Sequence, residues 1–324
     1  MILRIIIKSI KLAELFTNRK LWALILSRMK NILNVGLVGL VLAFLSCKST
    51  NYNAMLENTE PQLISNQFTF TEGPAADKNG NVYFTDQPND KIYVWDWKTD
   101  QVTLFLDKTG RANGTYFDEN DNLITCSDNE GEIWKISKDK SVEVLSKGFE
   151  GKRLNGPNDL WLDGKGGIYF TDPLYKRDYW ENFKVEIPEK NLYYRSKEGK
   201  ISKLETFVQP NGIIGSAKLN KLYVSDIDAG KTYVYDILGE GKLSEKKLFC
   251  EMGSDGMTLD KEGNLYITGD GVTVFNSKGE KVHHIKIPEE WTGNVTFGGE
   301  KNNILFITAS KSVYTLPTKT SALK

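Results

Sequence analysis

The chain has 324 residues, 40% hydrophobic and 11% aromatic, enough apolar surface for the core of one large domain or two ordinary ones and too much for a disordered chain. Lys plus Arg balances Asp plus Glu at 42 each. With no basic run in the body of the chain to track a phosphate backbone, a nucleic-acid-binding role is excluded.

The segment beginning at Met29, "MKNILNVGLVGLVLAFLSCKST", opens with a Lys, is apolar from Val35 to Leu45 and ends in Leu-Ser-Cys. It reads as a bacterial lipoprotein signal, with Cys47 as the lipidated first residue of the mature chain. The apolar stretch is shorter than the roughly 20 residues that a spanning helix needs; an uncleaved anchor is the other reading. Residues 1–28 make a poor signal, which places the start of translation at Met29. Residues 1–47 are therefore read as extension and signal, 48–62 as a linker and 63–319 as the folded domain. This predicts a membrane-anchored protein of the bacterial cell envelope, facing the periplasm or the exterior.

From Glu72 onward one pattern recurs. "EGPAADKNGNVYFTD" is echoed by "NGTYFDENDNLITCSD" from Asn113 and "NDLWLDGKGGIYFTD" from Asn158. The series continues with "NGIIGSAKLNKLYVSD" from Asn211, "DGMTLDKEGNLYITG" from Asp255 and "NVTFGGEKNNILFITA" from Asn294. Each unit is a short strand, a polar turn and a second strand of alternating aromatic and β-branched residues, followed by one or two further strand-like runs. Taking Tyr83, Ile124, Tyr169, Tyr223, Tyr266 and Phe306 as equivalent, the spacings are 41, 45, 54, 43 and 40 residues. Four strands per period with almost no helical pattern predicts an all-β fold, a six-bladed β-propeller. Residues from about Leu63 to Phe68 would close the last blade and leave no open edge.

In every repeat a residue with a side-chain oxygen stands 11 or 12 positions before that anchor: Glu72, Asn113, Asn158, Asn211, Asp255 and Asn294. Such positions begin the innermost strands, which converge on the propeller axis. Each alone could be a turn residue bonding its own backbone; six together point to a site. Carboxylates with amide oxygens suit Ca²⁺, Mg²⁺ or Mn²⁺, and Zn²⁺ with less preference. The only histidines, His283 and His284, adjoin each other in an outer-strand run, which disfavours a Ser-His-Asp triad or a histidine zinc site.

Arg153, on the loop leading to Asn158, could orient a substrate or form a surface ion pair. Asp159 reads as a brace behind the site, and Asp86, Asp172 and Asp226 as turn formers. The third repeat is longest because of "DPLYKRDYWENFKVEIPEKN", whose Tyr175, Tyr179 and Trp180 make either a lid on the site or packing for the blade's own edge. Cys126 and Cys250 fall in the second and fourth blades, too far apart to bridge.

With these motifs in order, "EGP" at 72, "GRANG" at 110, "EGKRLNGPND" at 150, "PNGI" at 210, "SDGM" at 254 and "NVTFGG" at 294, the chain resembles the gluconolactonase/regucalcin family over roughly residues 65–316. The resemblance implies Glu72, Asn211 and Asp255 as ligands of a divalent cation, calcium first. Asn158 would be a ligand or substrate contact, and Arg153 and Asn113 substrate contacts. "CSDNEG" in the second blade departs from a frequent Cys-Glu-His. The implied chemistry is hydrolysis of a sugar lactone or similar ester, the metal polarising the carbonyl and Asp255 helping to deprotonate water. The same site description fits a phosphotriesterase of the diisopropyl-fluorophosphatase type, and the fold alone would also serve a non-catalytic carbohydrate-binding propeller.

Overall fold

A computed structural model describes residues 60–180 and 184–323; the signal, Cys47 and most of the linker lie outside them. Among the described residues there is no α-helix. Strand β1 (Gln62–Ser65) comes first in the chain. The first blade follows as β2 (Thr71–Ala76), β3 (Val82–Asp86), β4 (Lys91–Asp96) and β5 (Gln101–Asp107). β6 (Ala112–Phe117), β7 (Leu123–Ser127), β8 (Glu132–Ile136) and β9 (Val142–Ser146) form the second, and β10 (Leu160–Leu162), β11 (Ile168–Asp172), β12 (Lys190–Arg195) and β13 (Ile201–Phe207) the third.

The fourth blade, β14 (Pro210–Ser216), β15 (Lys221–Asp226), β16 (Lys231–Gly239) and β18 (Lys247–Cys250), carries an addition: β16 overshoots and its end pairs with the short β17 (Lys242–Leu243). β19 (Met257–Leu259), β20 (Leu265–Gly269), β21 (Gly271–Phe275) and β22 (Lys281–Ile285) make the fifth. The sixth is β23 (Thr292–Gly298), β24 (Ile304–Ala309) and β25 (Ser312–Pro317), and its outermost strand is β1. Tyr314 of β25 stands opposite Leu63. The expected closing strand is thus present, shorter than the sequence suggested.

The innermost strands β2, β6, β10, β14, β19 and β23 pack each on the next in an unbroken cycle. Among the described residues one apolar cluster lies between each pair of neighbouring blades, such as Phe68, Val82, Phe84 and Trp95 against Phe306 and Val313 where the ring closes. Alternation explains this layout: successive side chains of a strand point to opposite faces, and each face meets a different neighbouring blade.

Two polar devices recur. Asp86, Asp172 and Asp226 reach back to the segment entering their own blade, and Asp86 also accepts from Asn89 Nδ2 at 2.7 Å in the turn that follows it. Asp172 accepts from the backbone N–H groups of Asn155 (3.0 Å) and Gly156 (2.9 Å), and Asp226 from Val208 (3.0 Å) and Gln209 (2.8 Å); Asp86 does the same for Thr69 and Phe70. One residue earlier, hydroxyls stitch adjacent blades: Thr85 donates to the Asn113 carbonyl (3.2 Å), Thr171 to that of Asn211 (2.7 Å). Thr268 likewise donates to the Gly293 carbonyl at 2.7 Å. Burying these backbone groups unpaired would be costly, so the devices fix where each inner strand begins.

After β25 the chain crosses the lower face to Leu323, whose N–H donates to the Leu259 carbonyl at 3.0 Å. Cys126 and Cys250 are buried free thiols.

Candidate active site

The six oxygen-bearing positions form a closed circle. The Gly114 N–H donates to the Asn158 carbonyl at 2.7 Å. Asp159 accepts from the Ile213 N–H at 3.3 Å, linking the third blade to the fourth, and a Cβ on Gly256 would fall 1.9 Å from the Asn294 side chain. At Gly293 it would fall 2.5 Å from Glu72 Oε1, and at Gly73 2.0 Å from the Asn113 carbonyl. A glycine beside the oxygen-bearing residue is what lets neighbouring inner strands approach this closely. The ladder slips at the same place, between Glu72 and Ala75, Ala112 and Thr115, and Pro210 and Ile213; such bulges re-aim side chains.

The third blade differs, because Asp159 stands where a glycine stands in most of the others. Its carboxylate accepts from its own neighbour Leu160 N–H at 2.9 Å as well as from Ile213, and from Asn294. It is a brace, as its position beside Asn158 suggested. Burial pushes its pKa up to about 7, against those backbone donors.

Glu72, Asn211 and Asp255 converge. Glu72 is buried and its carboxyl is held well above the usual range, first by desolvation and then by the charges of Asp255 and Asp159. Asp255 is likewise raised by burial, opposed by hydrogen bonds from Trp291, Asn211 and Glu72 and by the charge of Arg177. Its Oδ2 accepts from the Trp291 indole N–H at 2.6 Å. Unlike Glu72 and Asn211 it keeps partial contact with solvent. The Asn211 amide nitrogen donates to the Tyr175 hydroxyl at 2.8 Å, while its Oδ1 is buried without a partner. Asn113 and Asn158 are buried in the same circle.

This donor set fits a hard divalent cation on two counts: an orphaned buried amide oxygen, and two crowded carboxylates that burial destabilises when charged. Among the described residues no group of three or more His, Cys, Asp or Glu side chains is arranged around a metal position, so amide oxygens are needed to complete any set here. His283 and His284 sit on β22, the outermost strand of their blade, three strands out from the innermost β19; His284 Nδ1 lies 3.0 Å from Thr273 Oγ1.

Arg153 is half-buried at the rim. Its guanidinium donates to the carbonyls of Leu154 (2.7 Å), Asn129 (2.7 Å) and Asp128 (3.3 Å), and lies 5.8 Å from the Trp180 ring centre. The long loop after β11 divides its aromatics between two tasks. Tyr175 reaches the circle, whereas Tyr179 donates to the buried Asp128 and meets Trp180 edge to face at 6.4 Å. Trp291 and Arg177 carry no repeat signal in the sequence, and only the fold brings them and Asp128, the end of the second repeat, to this face.

A six-bladed propeller whose axis ends in a circle of carboxylate and amide oxygens under an aromatic loop defines a class of propeller with a polar axial site. Within that class, residues 70–311 match the SMP-30/Gluconolactonase/LRE-like region, and the chain belongs to that family. It is 30% identical to a gluconolactonase of Zymomonas mobilis, over 90% of this chain and 89% of that protein. It is 27% identical to the diisopropyl-fluorophosphatase of Loligo vulgaris, over 73% of this chain and 84% of that one. A solved structure of a gluconolactonase from Xanthomonas campestris superposes with a TM-score of 0.78 at 27% identity, covering 83% of this chain and 92% of its own.

Proposed function

We propose that this protein is a metal-dependent hydrolase of sugar lactones. The observation that carries the reading is the convergence of Glu72, Asn211 and Asp255 on the axis, with Asn211 Oδ1 buried and unpartnered. Similarity to the Zymomonas and Xanthomonas gluconolactonases supports the substrate class.

Glu72, Asn211 and Asp255 would hold the cation, Ca²⁺ foremost and Mg²⁺, Mn²⁺ or Zn²⁺ as alternatives, with Asn158 offering a further oxygen. A divalent ion at such a site polarises an ester carbonyl and lowers the pKa of nearby water. Asp255, partly open to solvent and held at Oδ2 by Trp291, would accept the proton of the attacking water. That proton then passes to the ring oxygen as the acyl C–O bond breaks, leaving an open-chain hydroxy acid. Asn113 and Asn158 present amides to substrate hydroxyls, and Arg153 forms a wall of the mouth beside Trp180. Tyr175 narrows access above Asn211.

The similarity to the Loligo enzyme supports a second reading, phosphotriester hydrolysis at the same oxygens. The test is a panel of sugar lactones and fluorophosphates, assayed after chelation and after return of each divalent ion. Lactone hydrolysis lost to chelator and restored by cation is expected. Turnover of fluorophosphates alone transfers the assignment to the second reading, and no hydrolysis of either class refutes both. We further propose that the mature chain starts at a lipidated Cys47 and faces the periplasm or the exterior.

A further inference from the structure

Two of the converging side chains are gripped from outside the circle, by aromatic residues from different blades. An asparagine amide can present either its oxygen or its nitrogen, and nothing intrinsic chooses between them. Here the amide is held by two partners: Nδ2 donates to the Tyr175 hydroxyl at 2.8 Å, and Asn211 also bonds the Asp255 carboxylate, which only accepts, so that Oδ1 is turned the other way and left without a partner. A carboxylate beside another carboxylate has a similar freedom, since it can rotate to relieve repulsion. Asp255 is stopped from doing so by the Trp291 indole N–H, 2.6 Å from Oδ2.

We propose that Tyr175 and Trp291 are the positioning residues of this site, fixing the Asn211 amide and the Asp255 carboxylate in the orientation that receives the cation. The inference rests on the metal-dependent reading above. Neither residue belongs to an inner strand: Tyr175 is on the loop after β11, and Trp291 precedes β23. Both are partly exposed, so neither is needed to fill the core. Their rings stand at the mouth, and the grip on the donors is made by one polar atom of each. Partners of this kind tune affinity because they remove orientations that the ligand must otherwise give up on binding, and losing one typically lowers metal affinity or activity by about 10- to 100-fold.

The polar atom can be deleted while an aromatic ring is kept at each position. Tyr175→Phe and Trp291→Phe, prepared metal-free, should melt within about 2 °C of the parent, as surface substitutions do, yet bind Ca²⁺ about 10- to 100-fold more weakly by titration calorimetry. Tyr179→Phe is the matched control: its hydroxyl is on Asp128, and its Ca²⁺ affinity should stay within about threefold of the parent. In lactone assays at saturating Ca²⁺, the two test variants should recover most of kcat, which a damaged fold would not allow. Parent-like affinity in both test variants overturns the inference while leaving the metal site standing. Equal weakening in Tyr179→Phe also overturns it, because the effect would then belong to the loop as a whole. A parent protein that binds no divalent cation refutes the metal-dependent reading and this inference together.

Discussion

The Tyr179 hydroxyl donates to the Asp128 carboxylate, joining residues 51 positions apart. The same oxygen accepts from Gln87 Nε2 at 3.0 Å and lies 3.3 Å from Arg177 Nε, while the Arg111 guanidinium covers the Tyr179 ring at 4.0 Å. One buried carboxylate therefore ties the first blade, the second blade and the long loop together. Asp128→Ala would leave Arg177 and the Gln87 amide without this acceptor, so stability should fall by about 1–3 kcal/mol. Trypsin should then cut faster at Lys176 and Arg177. Unchanged resistance to cleavage, with an unchanged melting curve, would show that the loop is held by something else.

Asp255 and Asn294 should separate catalysis from support. Asp255→Ala removes the proposed base, and kcat should drop by about 100- to 10,000-fold, together with cation affinity. The metal-free variant should melt no lower than the parent, since one of three mutually repelling carboxylates is gone. Asn294 accepts from the Val295 N–H at 2.8 Å and hydrogen-bonds Glu72 and Asp159 from behind. Asn294→Ala should keep its cation. Wild-type Ca²⁺ affinity in the Asp255 variant, measured by calorimetry, would remove Asp255 from the site.

Stability without metal should run opposite to that of an ordinary salt-bridged protein. Asp159 and Asp172 are both raised by burial to about 7, and Glu72 and Asp255 are raised as well. For an acid whose folded pKa is raised, the folded state holds the proton more tightly than the unfolded chain. Stability is therefore greatest below the unfolded value near 4 and declines as pH climbs through about 7. In chelator the melting temperature should fall from pH 5 to pH 7.5; saturating Ca²⁺ should flatten the slope by favouring the charged carboxylates. A metal-free protein that gains stability over that interval contradicts the burial argument.

For the anchor, Cys47→Ser should shift the protein from the membrane fraction to the soluble fraction, or halt its processing. Identical partitioning and an identical mass for parent and variant would rule out lipidation at that residue.

The periodic features of the fold are legible in the sequence. Six polar positions could be aligned because each inner strand starts at a fixed distance from a repeated aromatic or β-branched anchor. The closing strand followed from the need to leave no edge. The unread part lacks that periodicity. Trp291 meets Asp255 across 36 positions and Tyr175 meets Asn211 across 36, in one blade pair each and nowhere else. Asp86, Asp172 and Asp226 stand out as a repeat, but their role is hidden from the sequence: Asp86 bonds its own turn at Asn89, while the partners all three share in kind lie 16 to 18 positions back. Of the loop aromatics, sequence drew equal attention to Tyr175, Tyr179 and Trp180, and only three-dimensional contacts distinguish the one that touches the circle from the two that anchor the loop.

Because β1 is the outer strand of the sixth blade, the ribosome makes it first and its partner last. Ser65 leaves the exit tunnel 247 residues ahead of Ser312, an interval of about 12 to 50 s at ordinary bacterial elongation rates. Throughout that time the backbone of Gln62–Ser65 is a strand without a mate, while five blades accumulate behind it. The circle of oxygens, drawn from Glu72 to Asn294, cannot exist until the sixth blade arrives. On the metal-dependent reading, cation uptake should accordingly follow docking of the sixth blade, making the ion a reporter of ring closure.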